Sequence, residues 1–255
     1  MKRIEDFIVV NHKWLNYSSF IIELEAPETL PVIQPGNFAE IEVANSPKVF
    51  LRRPFSFYDV NPTSNTISFF IKVAGEGTRL LGEARKGDKL SVIYPLGNSF
   101  SRPESGRVLA VAGGSGIAPF ILYGKELQNN GIEITFLFGA RSADDIVLTD
   151  EFRALGKVLI TTEDGSQGEK GMVTQHGLFN NKKLPFDLIV TCGPEPMMKA
   201  VGKIAMEKNI PCEASLENTM ACGFGACLCC IVPTVSGNKC VCTEGPVFNV
   251  KELKW

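Results

Sequence analysis

With 255 residues, 44% apolar and 21% charged, the chain has the composition of a soluble globular protein, with room for two ordinary domains and a small appendage. A formal net charge of −2 offers no basic field for nucleic acid or an anionic membrane, so small molecules and proteins are the expected partners. The longest apolar stretch, 108–124, is broken by Gly113-Gly114-Ser115-Gly116 and Pro119, which excludes a continuous membrane-spanning helix.

From the start to about residue 95, short alternating or apolar runs are separated by turn residues. They lie at 7–10, 20–24, 38–43, 49–58, 66–73 and 90–94, and six such segments predict an antiparallel barrel or sandwich with a single helix over 78–84. Two motifs fall in this region. Arg52-Arg53-Pro54-Phe55-Ser56 lies on a predicted strand, and Gly75-Glu76-Gly77-Thr78 opens the helix. An arginine pairs with phosphate, a serine hydroxyl reaches a ring nitrogen, and a glycine-rich helix start holds a second phosphate group. The competing reading is solvated edge-strand charge and ordinary turn glycines.

After the turn at 101–106 the pattern changes. Continuous β-branched or apolar runs at 108–112, 132–138, 157–161 and 188–191 alternate with helical stretches at 119–127, 150–155 and 196–208. Strands buried on both faces and alternating with helices predict a doubly wound parallel sheet. Gly113-Gly114-Ser115-Gly116-Ile117-Ala118-Pro119 sits at its first strand-to-helix turn, and Cys192-Gly193-Pro194-Glu195-Pro196-Met197 follows its last strand. Ligands of open parallel sheets bind outside the carboxyl ends of the strands, so the two turns are expected to face one crevice and favour a nicotinamide nucleotide. Read alone, the first is also a tight structural turn, and Cys192 is equally a core thiol.

The tail holds six of the eight cysteines, between Cys222 and Cys242. The spacing C-x4-C-x2-C followed after eleven residues by another cysteine is that of a plant-type [2Fe–2S] frame. Its ligands are expected to be Cys222, Cys227, Cys230 and Cys242, with Cys229 an alternative to Cys230 and Cys240 to Cys242. Glycines 223 and 225 allow backbone N–H groups to turn toward the sulfurs. A zinc site with two separate knuckles fits this triplet less well, and a disulfide framework suits a short secreted chain rather than this one. Cys212, Cys229 and Cys240 read as buried packing thiols. Free cysteines and the lack of a targeting segment point to the cytoplasm.

In the order R-P-x-S, G-E-G-T, G-G-S-G-I-A-P and C-G-P-x-P-M, the chain resembles the ferredoxin reductase superfamily of flavoenzymes over residues 1–212. With its cysteine tail and Cys242-Thr-Glu-Gly-Pro-Val-Phe248, it is similar to the electron-transfer subunits of NAD-dependent, two-subunit dihydroorotate dehydrogenases. The resemblance implies a multidomain β plus α/β fold. An antiparallel FAD-binding β-barrel would span 1–102, a doubly wound NAD-binding domain 103–213, and a small [2Fe–2S] domain 214–255.

It also implies roles for matching residues. Arg53, Pro54, Phe55 and Ser56 would contact FAD, with Ile71 and Val73 flanking it and Gly75, Gly77 and Thr78 holding its pyrophosphate. Gly114, Gly116 and Cys192 would line the nicotinamide pocket. Where NADP-using members place a serine and an arginine for the 2′-phosphate, this chain has Thr162-Glu163-Asp164-Gly165, and a carboxylate at Glu163 favours NAD(H) over a phosphorylated ribose. The implied activity is a relay of electrons among NAD(H), FAD and the cluster, with no general acid or base required. The partner would be an FMN-bearing dihydroorotate dehydrogenase catalytic subunit in a heterotetramer. The alternative is the flavoprotein subunit of a hydrogenase or of a ferredoxin:NAD(P) oxidoreductase. His12 and His176 are expected at the surface.

Overall fold

The computed structural model describes residues 2–43 and 48–255. The first seven strands are β1 (Arg3–Trp14), β2 (Ser19–Glu25), β3 (Phe38–Ile41), β4 (Arg53–Ser56), β5 (Asp59–Asn61), β6 (Thr66–Lys72) and β7 (Lys89–Leu96). They form one antiparallel sheet in the order β4-β3-β7-β1-β2-β6-β5. The outermost strands β4 and β5 are separated by only Phe57 and Tyr58, so the chain itself draws the two ends of the sheet together. Alternation supplies the interior: Phe7 and Val9, Phe20 and Ile22, Phe69 and Ile71 all face one core. Within the strand expected over 49–58 only β4 forms, and β5, three residues long, carries too little periodicity to show in the sequence. Helix α1 (Glu76–Leu81) begins two residues before its predicted start.

The second sheet contains β8 (Arg107–Gly113), β9 (Glu133–Ala140), β10 (Lys157–Thr162), β11 (Glu169–Lys170), β12 (Leu188–Cys192) and β13 (Cys212–Ser215). Between them run α2 (Phe120–Asn129), α3 (Thr149–Arg153) and α4 (Glu195–Glu207). Its order, β11-β10-β9-β8-β12-β13, is parallel throughout, and the direction of winding reverses between β8 and β12. β8 shows why its sequence is continuously apolar. Val108, Ala110 and Ala112 pack on one face and Leu109 and Val111 on the other, in two different cores.

The tail adds hairpin β14 (Ile231–Thr234) and β15 (Gly237–Cys240), helix α5 (Val241–Glu244) and strand β16 (Val247–Asn249). β16 pairs antiparallel with β13 at the edge of the nucleotide sheet. The cysteine-rich segment therefore grows out of that sheet, and Cys230, Val241, Cys242 and Phe248 share a core with Leu109, Ile189 and Met220. That core also takes in Phe38, Ile93 and Leu96 from the outer wall of the barrel, so all three parts of the chain meet there. No helix among the described residues is long and apolar enough to cross a membrane.

Candidate functional site

A cleft of about 890 Å³ opens between the barrel wall and the carboxyl ends of the parallel strands, at the upper end of the size range of small-molecule sites. Its nucleotide side is built by two turns locked into each other. After β8 the chain enters a short 3-10 turn, Gly114–Ile117, before α2 begins. A Cβ on Gly116 would run into the carbonyl of Cys192, and one on Gly193 (φ +143°) would stand 2.8 Å from the carbonyl of Gly113. Only glycine allows this backbone-on-backbone approach, which is the physical reason both motifs are glycine-rich. Gly114, Gly116 and Cys192 all line the cleft, as does Glu163 after β10. Burial and the nearby Glu217 carboxylate push the Cys192 thiol up to about 12, so it is a neutral, apolar wall group and not a nucleophile at ordinary pH.

The barrel side is formed by Pro54, Phe55 and Ser56 of β4 and by Phe70 and Lys72 of β6, with Thr78 at the mouth. Arg53 stands behind them. Its guanidinium donates to the Leu51 carbonyl at 2.8 Å, and among the described residues it has no carboxylate partner, whereas Arg52 is held by Glu42 at 2.7 Å. A Cβ on Gly77 would lie 3.0 Å from Arg53 Nε, so the glycine turn makes room for the arginine. Thr78 Oγ1 accepts the N–H groups of Ala74 and Gly75, which organises this turn. An unpaired guanidinium behind an apolar floor fits a flavin with a diphosphate arm.

Two expected contacts change face. Ile71 is buried in the barrel core and Val73 packs against that core, so neither side chain lines the cleft. Strand alternation turns Phe70 and Lys72 outward instead, a period-2 signal readable in the sequence. Lys72 spans to Asp145 of the nucleotide side at 2.6 Å.

The cysteine loop follows directly from the cleft wall, for Met220 lines the cleft two residues before Cys222 and Pro246 lines it four residues after Cys242. The loop brings its thiols together as two pairs. Both Cys222 and Cys227 are free thiols; burial raises the Cys222 thiol, but the backbone N–H groups of Phe224, Cys227 and Ala226 and the Cys227 side chain outweigh it and bring the thiol down to about 7. Cys230 and Cys242 form the second pair, both buried, with the Cys242 N–H donating to Cys230 Sγ at 3.4 Å. Burial and Cys230 push the Cys242 thiol up to about 12 against a hydrogen bond from Gly225.

Among the described residues no three ligand groups converge on one metal ion. Two pairs of thiols under several inward N–H groups fit a two-iron cluster better than a single tetrahedral zinc. Cys229 is exposed rather than the packing thiol expected, because Leu228 (φ +58°) turns the chain outward there. Cys240 is half-buried at the end of β15 with its N–H on Glu244 Oε2, and Cys212 is buried as expected. His176 is not a surface residue: it is buried and its Nδ1 accepts the Leu178 N–H, while His12 is half-buried against Phe20.

Comparison with known proteins agrees with this layout. Residues 110–203 match the oxidoreductase NAD-binding domain family, and residues 217–254 match the iron–sulfur cluster binding domain of dihydroorotate dehydrogenase B. The dihydroorotate dehydrogenase B (NAD(+)) electron transfer subunit of Bacillus velezensis is 38% identical over 226 residues, covering 86% of this chain and 87% of that protein. A probable subunit of the same name from Methanocaldococcus jannaschii is 40% identical, covering 87% and 81%. Among solved structures, one of an NADH-dependent reduced ferredoxin-NADP oxidoreductase superposes with a TM-score of 0.88 at 32% identity, over 98% of this chain and 90% of that one. With its nicotinamide crevice, flavin cleft and cysteine loop in one continuous arrangement, the chain belongs to the family of dihydroorotate dehydrogenase B electron transfer subunits.

Proposed function

We propose that this chain passes electrons between NADH and an FMN-bearing dihydroorotate dehydrogenase catalytic subunit, through FAD in the cleft and a [2Fe–2S] cluster on the cysteine loop. The observation that carries this reading is the shared wall: Phe38, Met220 and Pro246 line the cleft, and Phe38 and Met220 pack in the same core as Cys230 and Cys242. When bound, FAD accepts a hydride from the nicotinamide and releases electrons singly to the cluster.

The chain's own residues bind, orient and exclude water. Gly114 and Gly116 admit the dinucleotide to the crevice, Glu163 accepts hydrogen bonds from an unphosphorylated ribose, and neutral Cys192 closes the nicotinamide end without adding charge. Arg53, Gly75, Gly77 and Thr78 hold the flavin diphosphate, while Pro54, Phe55 and Ser56 form the floor under the ring. Cys222, Cys227, Cys230 and Cys242 hold the cluster. The three units are 1–102, 103–213 and 214–255, the last being anchored by β16. Exposed Phe224 and Leu228 on the cysteine loop supply apolar rim for a docking partner. The assembly is a cytoplasmic heterotetramer of two copies of each subunit.

A freshly purified chain should show flavin bands with broad cluster absorption and should oxidise NADH with artificial acceptors. Orotate chemistry should require the partner, and orotate reduction by the single chain would sink the assignment. A second reading is favoured by the superposition on the ferredoxin-NADP oxidoreductase, and places the chain beside a different catalytic subunit. Mass analysis of the co-purifying chain decides between the two.

A further inference from the structure

Strand β3 points Phe38 and Glu40 to the outside of the barrel wall while Ala39 and Ile41 enter its core. Phe38 lines the flavin cleft. Glu40, the next residue on that face, lies under the cysteine loop, for a Cβ built on Gly223 would stand 2.9 Å from its Oε2. Its carboxyl is 0% exposed, and among the described residues neither oxygen has a hydrogen-bond partner. The facing positions explain why. Pro54 on β4 and Ile93 on β7, opposite Glu40 in the sheet, both carry apolar side chains that offer its carboxyl no donor.

The charges around Glu40 are few. Arg52 acts on it from the β4 side, but that guanidinium is already engaged by Glu42 and by the Ser91 carbonyl, each at 2.7 Å. From β7 come Ile93, Ser91 and Leu96, none of which titrates in water. From above comes Gly223, whose neighbour in the chain is Cys222. A carboxyl kept this dry and unpaired is costly to hold as an anion, and a second negative charge nearby makes it more so.

We propose that Glu40 is the group that takes up a proton when the cluster on the loop above it is reduced. One electron passes from reduced flavin to the cluster, and one proton passes from water to the Glu40 carboxylate. On reoxidation the electron leaves for the partner and the O–H bond breaks, returning the proton to water. The physical cause is like-charge repulsion across a low-dielectric gap, relieved by neutralising the carboxylate. Burial already pushes the Glu40 carboxyl up from its ordinary range, with Arg52 opposing. The proposal rests on the assignment of the cluster to this cysteine loop.

The test is an EPR-monitored redox titration of the cluster in the holoprotein between about pH 6 and 9. In the wild type the potential should fall with rising pH. For one electron and one proton, each tenfold change in proton activity corresponds to about 59 mV. In Glu40→Gln the slope should vanish. In Arg52→Gln, where the opposing cation is gone, the sloping range should move to higher pH. Should Glu40→Gln lose its cluster, the wild type alone still decides: its reduced-minus-oxidised infrared spectrum should gain a protonated carboxyl band that shifts in heavy water. A flat wild-type potential, an equal slope in Glu40→Gln or no carboxyl band overturns the proposal and leaves the cluster assignment standing. Absence of any reduced-cluster EPR signal overturns both.

Discussion

The two ends of the relay are built in opposite ways. At the nicotinamide end, backbone packs on backbone: the Gly113–Gly116 turn and the Cys192–Gly193 turn touch through atoms that every fold of this sheet must place, between strands whose side chains are buried on both faces. At the cluster end, exposed Cys227 and Cys229 and left-handed Gly223, Leu228 and Gly225 form a loop with packing mainly beneath Cys230 and Cys242. The first end takes its shape from packing within the chain. The second gains much of its order from metal bonds, as small metal sites do.

This contrast is breakable in graded steps. The largest effect is expected from the cysteines proposed as cluster ligands. Cys230→Ser and Cys242→Ser should each lose most of the bound iron, while Cys229→Ser should keep it, as read by iron analysis and the visible spectrum. Loss in Cys229→Ser alone would reverse the pairing described above. Iron removal by a chelator should raise hydrogen exchange in 221–230 and leave 107–117 protected, because only the first region depends on metal.

Next, Gly116→Val should collide with the Cys192 carbonyl and cost about 1–3 kcal/mol or more of stability, measured by denaturant unfolding, with NADH oxidation lost and iron retained. Arg53→Gln removes the unpaired guanidinium and should weaken FAD retention by roughly 10- to 100-fold, since a charge-assisted hydrogen bond is worth about 1.5–3 kcal/mol. Gel filtration followed by flavin quantitation checks it, and unchanged retention would return Arg53 to the status of an edge charge.

A smaller change is expected from Glu163→Ser, which should shift the NADPH:NADH ratio of kcat/KM upward by about tenfold, as removal of one repelling carboxylate allows. The last effect is confined to high pH. Burial pushes the Cys192 and Cys212 thiols up to about 12 from an ordinary 9.0, so the folded chain binds their protons more tightly than the unfolded one. Their stabilisation is therefore complete below about pH 9 and is lost as pH rises toward about 12. Denaturation midpoints should decline over that window, and Cys212→Ala should remove part of the decline.

Much of this was legible in the chain. The glycine and cysteine motifs carry spacing that backbone geometry demands, and the apolar runs at 108–112 and 188–191 carry the signature of strands buried on both faces. What escaped was short or decided by partners. β5, β11 and β16 contain three, two and three residues, too few for a period to show. The side chains of Ile71 and Val73 pack with the barrel core while Phe70 and Lys72 line the cleft, a choice of face that one residue of register reverses.

By itself the sequence determined the kind of each unit, its order, and the residue types at each turn, because periodicity and ligand spacing are local properties of the chain. Only the tertiary structure decided which residues share a wall. The pairing of β16 with β13, the common core of Phe38, Cys230 and Cys242, and the burial of Glu40 beneath Gly223 all join positions far apart in the chain. Such contacts depend on how sheets close and stack, and no local pattern encodes them.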